Sequence, residues 1–491
     1  AGTSMHGELE KRLKYVLDIL SRPQMKAIIY IDDIYAIVGG HESDSATSTM
    51  QTYLEGGTLR FVGGASHGDW NLCQSRHKAF ARRFETVDVA EPTVNECVKM
   101  VTASINGYEE HHHVLYSDEA IRLAVEGAFK YIGGRCLPDK AFDLIDEAGA
   151  TLAMRHHRKQ DEPQVVLPHD ISQTLARVCR VETLADVDDD TQLMESLEER
   201  FKTRVYGQDE AVHQVAEAVL MASAGLADDT KPMASLLFVG PTGVGKTELA
   251  RVLADELHLP LVRFDMSEYS ERHTVSKLIG SPAGYIGYED GGVLTDAVRR
   301  TPHCVLLLDE IEKAHPDIYN TLLQVMDYGT LTDSRGQKAD FRHTILLMTT
   351  NAGAQHATQT ASMGFTGTQT AGGVMLKEVK KTFKPEFLNR LTAITIFRDM
   401  DLTMAGLILD KKLDALSGKL NTRKVKMKFT PAARQHLLTQ CFSPQYGGRE
   451  ADRVITTQLK PLLMHSILFG KLQKGGTAKI DITDSKTLKV N

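Results

Sequence analysis

The sequence contains little cysteine and tryptophan and no long apolar run. Its 491 residues include 6 cysteines and 1 tryptophan, and no two cysteines form a Cys-x-x-Cys pair. This spacing argues against a cysteine zinc site and against a disulfide framework. No apolar run approaches the roughly 20 residues that a membrane-spanning helix needs, so we expect no membrane contact. The first residues lack the layout of a secretory signal, and we therefore expect a cytoplasmic protein.

Positive charge is also scarce relative to negative charge. The sequence carries 57 lysines and arginines against 64 aspartates and glutamates, a formal net charge of -7. This balance provides no basic surface for nucleic acid, so we expect none as a partner. An apolar content of 42% and a charged content of 25% are ordinary for a globular protein. The length favours two or more domains, each with its own core.

Patterns typical of strands and helices alternate in the second half of the chain. Four short apolar runs, each bounded by polar or turn-forming residues, are separated by stretches with helical spacing. This order predicts a doubly wound α/β sheet. The four predicted strands span residues 235–239, 261–265, 305–309 and 344–350.

A similar order occurs in the first half. The apolar run at residues 27–33 predicts a buried parallel strand that ends in two carboxylates, and helical spacing follows between residues 92 and 158. A polar, charged stretch then predicts a linker. We therefore predict a partial sheet domain at 1–90, a small helical domain at 91–165, a linker at 166–195, a second sheet domain at 196–395 and a C-terminal small domain with strands at 396–491.

A glycine-rich segment follows the first strand of the second sheet domain and precedes a helix. Its eight residues match the phosphate-binding P-loop in the context that this motif requires. Backbone N–H groups of such a loop surround phosphate oxygens, and the helix N-terminus adds positive potential. We predict that the lysine reaches the outer phosphates of ATP and that the last threonine binds Mg²⁺; the alternative is a glycine-rich turn without nucleotide. The residues are Gly240, Pro241, Thr242, Gly243, Val244, Gly245, Lys246 and Thr247.

Two carboxylates stand at the end of the third predicted strand. A strand end with two acids can hold the water shell of a metal ion and orient an attacking water. We therefore assign Asp309, with Thr247, to Mg²⁺, and Glu310 to the role of catalytic base or polariser of the attacking water. Two acids also occur where a strand simply meets a helix, but the upstream P-loop favours the catalytic interpretation.

The segments around these carboxylates resemble the Clp family of AAA+ ATPases. Residues 309–316 (DEIEKAHP) and 263–269 (RFDMSEY) are similar to the second ATPase module of its ClpA branch almost letter for letter, and the similarity extends over nearly the whole chain. The resemblance implies two AAA+ P-loop modules in tandem, each a doubly wound parallel sheet plus a small helical domain, with the first incomplete. It also implies a homo-hexamer, or a ring with related subunits.

The resemblance includes single residues outside the P-loop. Val205 and Tyr206 are similar to the segment that packs on adenine, and Asn351 matches the residue that senses the γ-phosphate. Arg390 resembles the arginine finger that reaches the nucleotide of a neighbouring subunit, where it would stabilise transition-state charge. Arg449 resembles the small-domain arginine that closes onto the phosphates. A lone arginine is more often a surface charge, so these assignments depend on the ordered set.

Two further loops resemble family elements that contact other proteins. One resembles the pore loop, in which an aromatic residue between flexible glycines grips an extended polypeptide. The other is similar to the loop that docks on a ClpP-like peptidase, although methionine replaces its first isoleucine. The alternatives are a packed loop aromatic and an unengaged loop. The residues are Gly284, Tyr285, Ile286 and Gly287 for the pore loop, and Met363, Gly364 and Phe365 for peptidase docking.

The first module departs from the family pattern. It has no P-loop, and its carboxylate pair is Asp32 and Asp33 where the family has Asp-Glu, which would misplace the second acid. We expect no ATP hydrolysis there. Arg82 and Arg83 match a finger position, with a solvated helix face as the alternative. Two interpretations stay open: a fragment of a longer chain with a degraded first site, or a complete relative whose first module only supports the ring.

These observations favour an ATP-driven unfoldase that threads protein substrates, with or without an adaptor, into a peptidase. The alternatives are a chaperone that disaggregates without proteolysis, as in the ClpB branch, and a regulatory ring subunit. The ClpB branch inserts a long coiled coil near the first small domain, whereas residues 147–204 show no sustained heptads.

Overall fold

The computed structural model describes residues 8–22, 24–25, 27–38, 44–57, 59–133, 135–155, 164–179, 196–280, 291–353, 371–421, 423–442, 448–470, 472–473, 475–483 and 487–490. Residues Ala1–Ala90 and Glu91–Asn491 form two compact units. Within the described ranges, no helix combines the length and the apolar character that crossing a membrane requires.

The first unit contains a two-stranded parallel ribbon. Its elements are α1 (Glu8–Leu20), β1 (Ile28–Ile31), α2 (Ile34–Val38), α3 (Asp44–Glu55), β2 (Arg60–Gly63), α4 (His67–Arg76) and α5 (Lys78–Ala81). Ile29 and Ile31 of β1 pack with the helices in one core, whereas Ile28 and Tyr30 on the other face are each 65% exposed. The expectation of a buried strand is therefore wrong, because the described helices cover one face of the ribbon only.

The described residues between 91 and 179 form a helical bundle with a short parallel ribbon. Its elements are α6 (Val94–His112), β3 (Val114–Tyr116), α7 (Asp118–Tyr131), α8 (Asp139–Arg155), β4 (Gln164–Val166) and α9 (Pro168–Cys179). A reciprocal pair of hydrogen bonds between Thr93 and Glu96 caps the start of α6. Ile171 and Leu175 of α9 are buried in the core of the bundle, so part of the range predicted as a linker is a packed amphipathic helix.

Five parallel strands form the central sheet of the second unit: the four that the alternating pattern predicts, and a fifth at Ala393–Ile396 that it did not. The strands of this part are β5 (Ala234–Val239), β6 (Leu261–Asp265), β7 (Cys304–Asp309), β8 (Thr330–Thr332), β9 (Lys338–Asp340), β10 (Thr344–Thr350) and β11 (Ala393–Ile396). The sheet order is β11-β5-β10-β7-β6, and β8 and β9 form a separate antiparallel hairpin. Leu237 and Val239 enter the core on one face of the sheet, and Leu236 and Phe238 enter the core on the other.

Helices cover both faces of this sheet, an arrangement that suits apolar parallel strands. They are α10 (Leu197–Arg204), α11 (Asp209–Ser223), α12 (Lys246–Glu256), α13 (Arg272–Ile279), α14 (Val293–Arg300), α15 (Pro316–Tyr328), α16 (Ala371–Thr382) and α17 (Pro385–Leu388), with 3-10 turns at Met266–Tyr269 and Ile311–Lys313. Because the strands are parallel, the carboxyl ends of β5, β7 and β10 meet at one edge, which is where ligands bind in such sheets.

The C-terminal part packs helices against a three-stranded sheet. Its elements are α18 (Leu402–Asn421), β12 (Val425–Phe429), α19 (Pro431–Cys441), α20 (Arg449–Val454), a π-helical turn (Ile455–Leu459), α21 (Lys460–Leu468), β13 (Gly476–Ile482) and β14 (Leu488–Val490). Strand β13 is parallel to β12 and antiparallel to β14. Val425 and Ile480 are buried while Lys426 and Lys479 are exposed, as the alternating pattern predicts.

Candidate nucleotide-binding site

A tight loop leads from β5 into α12. Strand β5 is buried along its whole length, and the loop turns through two glycines with positive φ, Gly243 at 83° and Gly245 at 110°. Residues with a Cβ rarely adopt this conformation, so the turn requires glycine. Gly245 is the N-cap of α12. The first N–H groups of this helix, which have no acceptors within the helix, therefore adjoin the loop.

Lys246, the first residue of α12, is buried with 8% of its surface exposed. Its Nζ donates to the carbonyl oxygens of Gly240 at 2.5 Å and Pro241 at 2.8 Å, and to Oδ1 of Asn351 at 2.6 Å. The ammonium group thus lies between the P-loop and the end of β10. The fold brings the predicted phosphate ligand and the predicted phosphate sensor into direct contact.

A cleft of about 400 Å³ opens beside this loop, within the range of volumes that bind small molecules. Both the sheet part and the C-terminal part of the second unit line it. Of the residues predicted from the sequence, the cleft is lined by Val205, Tyr206, Thr242, Gly243, Val244, Gly245, Lys246, Thr247, Asp309, Glu310 and Asn351. Its lining also includes residues that the sequence did not suggest, among them Glu248, Thr349, Lys411 and Gly448.

The neighbouring strands hold the acids at the end of β7. The hydroxyl of Thr349, on β10, donates to Oδ1 of Asp309 and accepts from the backbone N–H of Glu310 at 3.0 Å. Arg263, on β6, donates to Oδ2 of Asp309 at 2.6 Å. Asp309 is 6% exposed, and these partners satisfy both of its oxygens. The sequence analysis gave no role to Thr349 or Arg263, although both lie in segments that it singled out.

Glu310 has a left-handed backbone, with φ 57° and ψ 49°. This conformation costs a residue with a Cβ on the order of 1–2 kcal/mol, and such strain is concentrated at functional sites. The Glu310 carboxylate forms an ion pair with Lys313, and the hydrogen bond between them raises the pKa of Lys313. The predicted base thus lines the cleft, and its negative charge is paired with Lys313 in the following 3-10 turn.

Helix α18 is joined to the segment predicted to contact adenine. The Nζ of Lys411 donates to the carbonyl oxygen of Arg204 at 2.9 Å and to Glu248 at 3.1 Å. It also lies 5.9 Å from the centre of the Tyr206 ring. A Cβ on Gly207, which has a φ of 67°, would lie 2.4 Å from a side-chain atom of α18. Close packing of the C-terminal part on this segment therefore depends on glycine.

The C-terminal part also reaches the P-loop backbone. The N–H of Gly448 donates to the carbonyl oxygen of Gly243 at 2.9 Å, and a Cβ on Gly448 would lie 3.2 Å from that oxygen. Arg449 is the next residue and begins α20, but its side chain lies outside the described part of the structure. Its assignment to the phosphates stays a prediction.

Arg390 lies near the end of α17 and does not line the cleft. Its Nε donates to both carboxylate oxygens of Asp327, at 2.6 and 2.7 Å, and its side chain is 30% exposed. The hydrogen bond to Asp327 raises the pKa of the guanidinium. Within one chain, the structure therefore does not bring Arg390 together with the other predicted site residues.

Two predicted loops lie outside the described residues. The pore-loop residues Gly284 to Gly287 fall within the undescribed range 281–290, and the docking residues Met363 to Phe365 fall within 354–370. Their assignments stay predictions.

In the first unit, the paired acids have structural partners. The hydroxyl of Tyr30 donates to Oδ1 of Asp32 at 2.8 Å, and the backbone N–H of Ala36 donates to Oδ1 of Asp33 at 3.1 Å. Asp33 thus caps the first turn of α2. Arg83 pairs with Glu55 at 3.0 Å. The expectation that this unit does not hydrolyse ATP stays a prediction.

Three family models match the chain. Residues 231–394 match the AAA domain (Cdc48 subfamily), residues 93–201 match an AAA lid domain, and residues 401–480 match the C-terminal, D2-small domain of ClpB protein. Together the models cover the helical bundle, the sheet part from residue 231 onwards and most of the C-terminal part of the second unit.

Whole-chain comparisons also find relatives in the Clp family. A ClpA homolog protein of Fuscovulum blasticum is 41% identical over 99% of this chain and 61% of its own length. A ClpA homolog of Guillardia theta, described as an ATP-dependent Clp protease ATP-binding subunit, is 34% identical over 100% of this chain and 68% of its own length. The chain thus spans three fifths to two thirds of these relatives.

The solved structures that the chain resembles include Hsp104. A closed state of Hsp104 with ATPγS and FITC casein superposes with a TM-score of 0.85 at 32% identity, covering 100% of this chain and 84% of that chain. An extended conformation of the Saccharomyces cerevisiae Hsp104:casein complex gives a TM-score of 0.82 at 31% identity, covering 100% of this chain and 84% of that chain.

Proposed function

The chain belongs to the Clp family of AAA+ ATPases, and from this premise we propose that it hydrolyses ATP to unfold protein substrates and thread them through the pore of a ring. One observation carries the proposal. Lys246 at the start of α12 meets Asn351, Asp309 and Glu310 at the ends of β10 and β7 in a single cleft. That set combines a cation for phosphate, an amide to orient water, and two acids for a metal ion and a base.

Each residue has a separate task at this site. Lys246 holds the outer phosphates. Its ammonium group already lies inside the loop, so it needs only a small movement to replace the Gly240 and Pro241 carbonyl oxygens by phosphate oxygens. We assign Mg²⁺ to Thr247 and Asp309, because at nucleotide sites this ion takes few protein oxygens. Glu310 polarises the attacking water, and Asn351 orients it. ATP supplies the phosphoanhydride bond whose hydrolysis does the work.

A ring completes the site. Arg390 lies away from its own cleft and is partly exposed, as a residue that acts on the next subunit's nucleotide must be. We assign a hexamer, formed by this chain alone or with related subunits. The contacts of Gly448 and Lys411 would carry a change at the phosphates to the C-terminal part, with Arg449 closing on the nucleotide.

Work on the substrate falls to the two predicted loops. Tyr285, between Gly284 and Gly287, grips the polypeptide, and the segment from Met363 to Phe365 docks on a ClpP-like peptidase that performs the cleavage. The protein acts in the cytoplasm on protein substrates, with or without an adaptor.

A chaperone that works without a peptidase is the second candidate. The match of residues 401–480 to a ClpB domain and the likeness to Hsp104 with casein favour it. Adding a ClpP-type peptidase to the chain, ATP and a folded substrate distinguishes the two. ATP-dependent degradation supports the docking assignment, and unfolding without degradation supports the chaperone.

The central claim is tested by steady-state ATP hydrolysis with Mg²⁺. Glu310→Ala should lower turnover by about 10²-fold or more, because it removes the base while leaving the P-loop intact. Binding of a fluorescent ATP analogue should stay at the parental level. Glu217→Ala, an exposed acid on α11, is the matched control and should behave as the parent. Parental turnover in Glu310→Ala would refute the assignment of the base.

A further inference from the structure

Glu312 makes a contact that links the two sides of the candidate site. It lies in the 3-10 turn Ile311–Lys313, two residues after Glu310. Its Oε1 accepts from the backbone N–H of Asn351 at 3.1 Å. The partners are 39 residues apart in sequence and belong to the ends of neighbouring strands, β7 and β10.

The turn that carries Glu312 is itself well defined. The N–H of Lys313 donates to the carbonyl oxygen of Glu310 at 3.0 Å, and the hydroxyl of Tyr319 donates to the carbonyl oxygen of Ile311 at 2.7 Å. Ile311 is fully buried in the core. A side chain on so fixed a turn can hold its acceptor in one place, which is what positioning a partner requires.

Asn351 is held at both ends. Its side-chain oxygen accepts from Lys246 inside the cleft, and its backbone N–H donates to Glu312. The backbone contact sets where the amide begins and therefore how far it reaches towards the phosphates. In catalysis a misplacement of about 1 Å can cost about 10²-fold in rate.

A glutamate at position 312 does not favour the stability of the fold. Its second oxygen, Oε2, is buried and has no hydrogen-bond partner among the described residues. A buried acceptor without a partner destabilises the fold. Stability thus gives no reason for a carboxylate here, whereas the contact with Asn351 does.

We infer that Glu312 is a positioning residue, which acts through Asn351 to place the amide that faces the phosphates. The inference rests on the proposed ATPase activity. Glu312 does not itself line the nucleotide cleft, and its contact with the lining is the hydrogen bond from the backbone N–H of Asn351.

A set of variants in the full chain tests this role by ATP hydrolysis, separated into kcat and KM. Glu312→Ala removes the acceptor, and Glu312→Asp keeps the charge but withdraws it by one methylene, so both should lower kcat about 10-fold or more with KM unchanged. Glu312→Gln keeps an oxygen for the Asn351 N–H and should retain kcat within about 3-fold, with a melting temperature no lower than that of the parent. Asp317→Asn, an exposed acid on α15, is the control.

Asn351→Ala supplies the decisive background. If Glu312 acts through the Asn351 side chain, Glu312→Ala should change kcat by less than about 2-fold once that side chain is absent. An equal loss in both backgrounds, or parental kcat in Glu312→Ala and Glu312→Asp, overturns the inference. A parent without ATP turnover would instead remove the proposed function, so the two failures are distinct.

Discussion

One hydroxyl serves both acids at the end of β7. Thr349 donates to Asp309 and accepts from the backbone N–H of Glu310, and it is 1% exposed. A buried group that loses its partner costs about 1–3 kcal/mol. Removing this hydroxyl would leave Oδ1 of Asp309 without this donor and the N–H of Glu310 without this acceptor. These two residues are the assigned metal ligand and base.

Thr349→Val should therefore lower ATP turnover by about 10-fold to 100-fold, because both acids lose their common support. The matched control is Thr395→Val. Thr395 is also fully buried on a strand of the same sheet, but its hydroxyl has no hydrogen-bond partner among the described residues. Thr395→Val should leave turnover unchanged and the melting temperature equal or higher. Similar effects of the two substitutions on turnover would contradict the role of Thr349.

Contiguous residues could be predicted at this scale, and distant partners could not. The P-loop is eight consecutive residues whose backbone conformation follows from its glycines, so Lys246 and Thr247 could be assigned from spacing alone. Thr349 and Arg263 stand 40 and 46 residues from Asp309. Only the order β10-β7-β6 in the sheet brings them together, and no local pattern encodes that order.

At the scale of elements, three aromatic rings join the C-terminal end of helix α7 to the sheet part. His303 and His343 stack with their centroids 4.7 Å apart, and Tyr131 of α7 packs on both. His303 Nε2 lies 2.8 Å from the Tyr131 carbonyl oxygen, which the neutral ring satisfies as a donor. Burial lowers the pKa of His303, and burial together with His303 lowers the pKa of His343 to about 4.

This contact should weaken in acid. In the unfolded chain a histidine binds its proton near pH 6.5, whereas His343 stays neutral in the fold until about pH 4. The unfolded state therefore binds more protons between these values, and stability falls as pH falls, by up to about 1.4 kcal/mol per pH unit for each such group. Asp340, Arg342 and Lys130 also face His343, and the first opposes the shift while the other two add to it.

Denaturant midpoints between pH 7 and pH 4 measure the effect. His343→Gln should flatten the dependence on pH, since one titrating group is gone, and the slope is the readout because the substitution also removes a ring contact. His169→Gln, at an exposed histidine of α9, is the control and should keep the parental slope. An unchanged slope in His343→Gln would show that the histidine pair does not govern acid stability.

Elements were predictable where one periodicity dominated. Strands β5, β7 and β10 of the central sheet carry near-continuous apolar runs, which indicate burial on both faces, and every residue of these three strands is buried. The run at β1 looks alike, yet Ile28 and Tyr30 are exposed. An apolar run indicates that a segment tends to be buried. Whether it is buried depends on the helices and strands that other parts of the chain pack against it.

For the whole molecule, the main proposal concerns the sharing of one active site by two subunits. Lys246 lines the cleft of its own chain. Arg390 lies outside that cleft, just after α17, where it pairs with Asp327. A head-to-tail interface repeated around a ring would place each Arg390 at the next subunit's nucleotide. Lesions at the two residues would then fall on opposite sides of every interface.

Mixing two inactive chains tests this arrangement. Lys246→Ala and Arg390→Ala should each lose most turnover alone, the second by about 10³-fold if the arginine acts as a finger. In mixed rings, a chain with intact Lys246 beside a neighbour with intact Arg390 forms a complete site. With random assembly, about one quarter of the sites are complete, and turnover should recover to about that fraction. Lys246→Ala mixed with Glu310→Ala is the control, because both lesions concern the same chain's cleft.

The control decides how recovery is interpreted. Each Lys246→Ala site lacks its phosphate ligand and each Glu310→Ala site lacks its base, so no arrangement of these two chains restores a site, and turnover should stay at background. Recovery only in the mixture with Arg390→Ala therefore requires that a guanidinium crosses the interface. If that mixture also stays at background while ring assembly persists by light scattering, Arg390 serves its own chain through Asp327, and the bifurcated hydrogen bond from its Nε to that carboxylate is its final role.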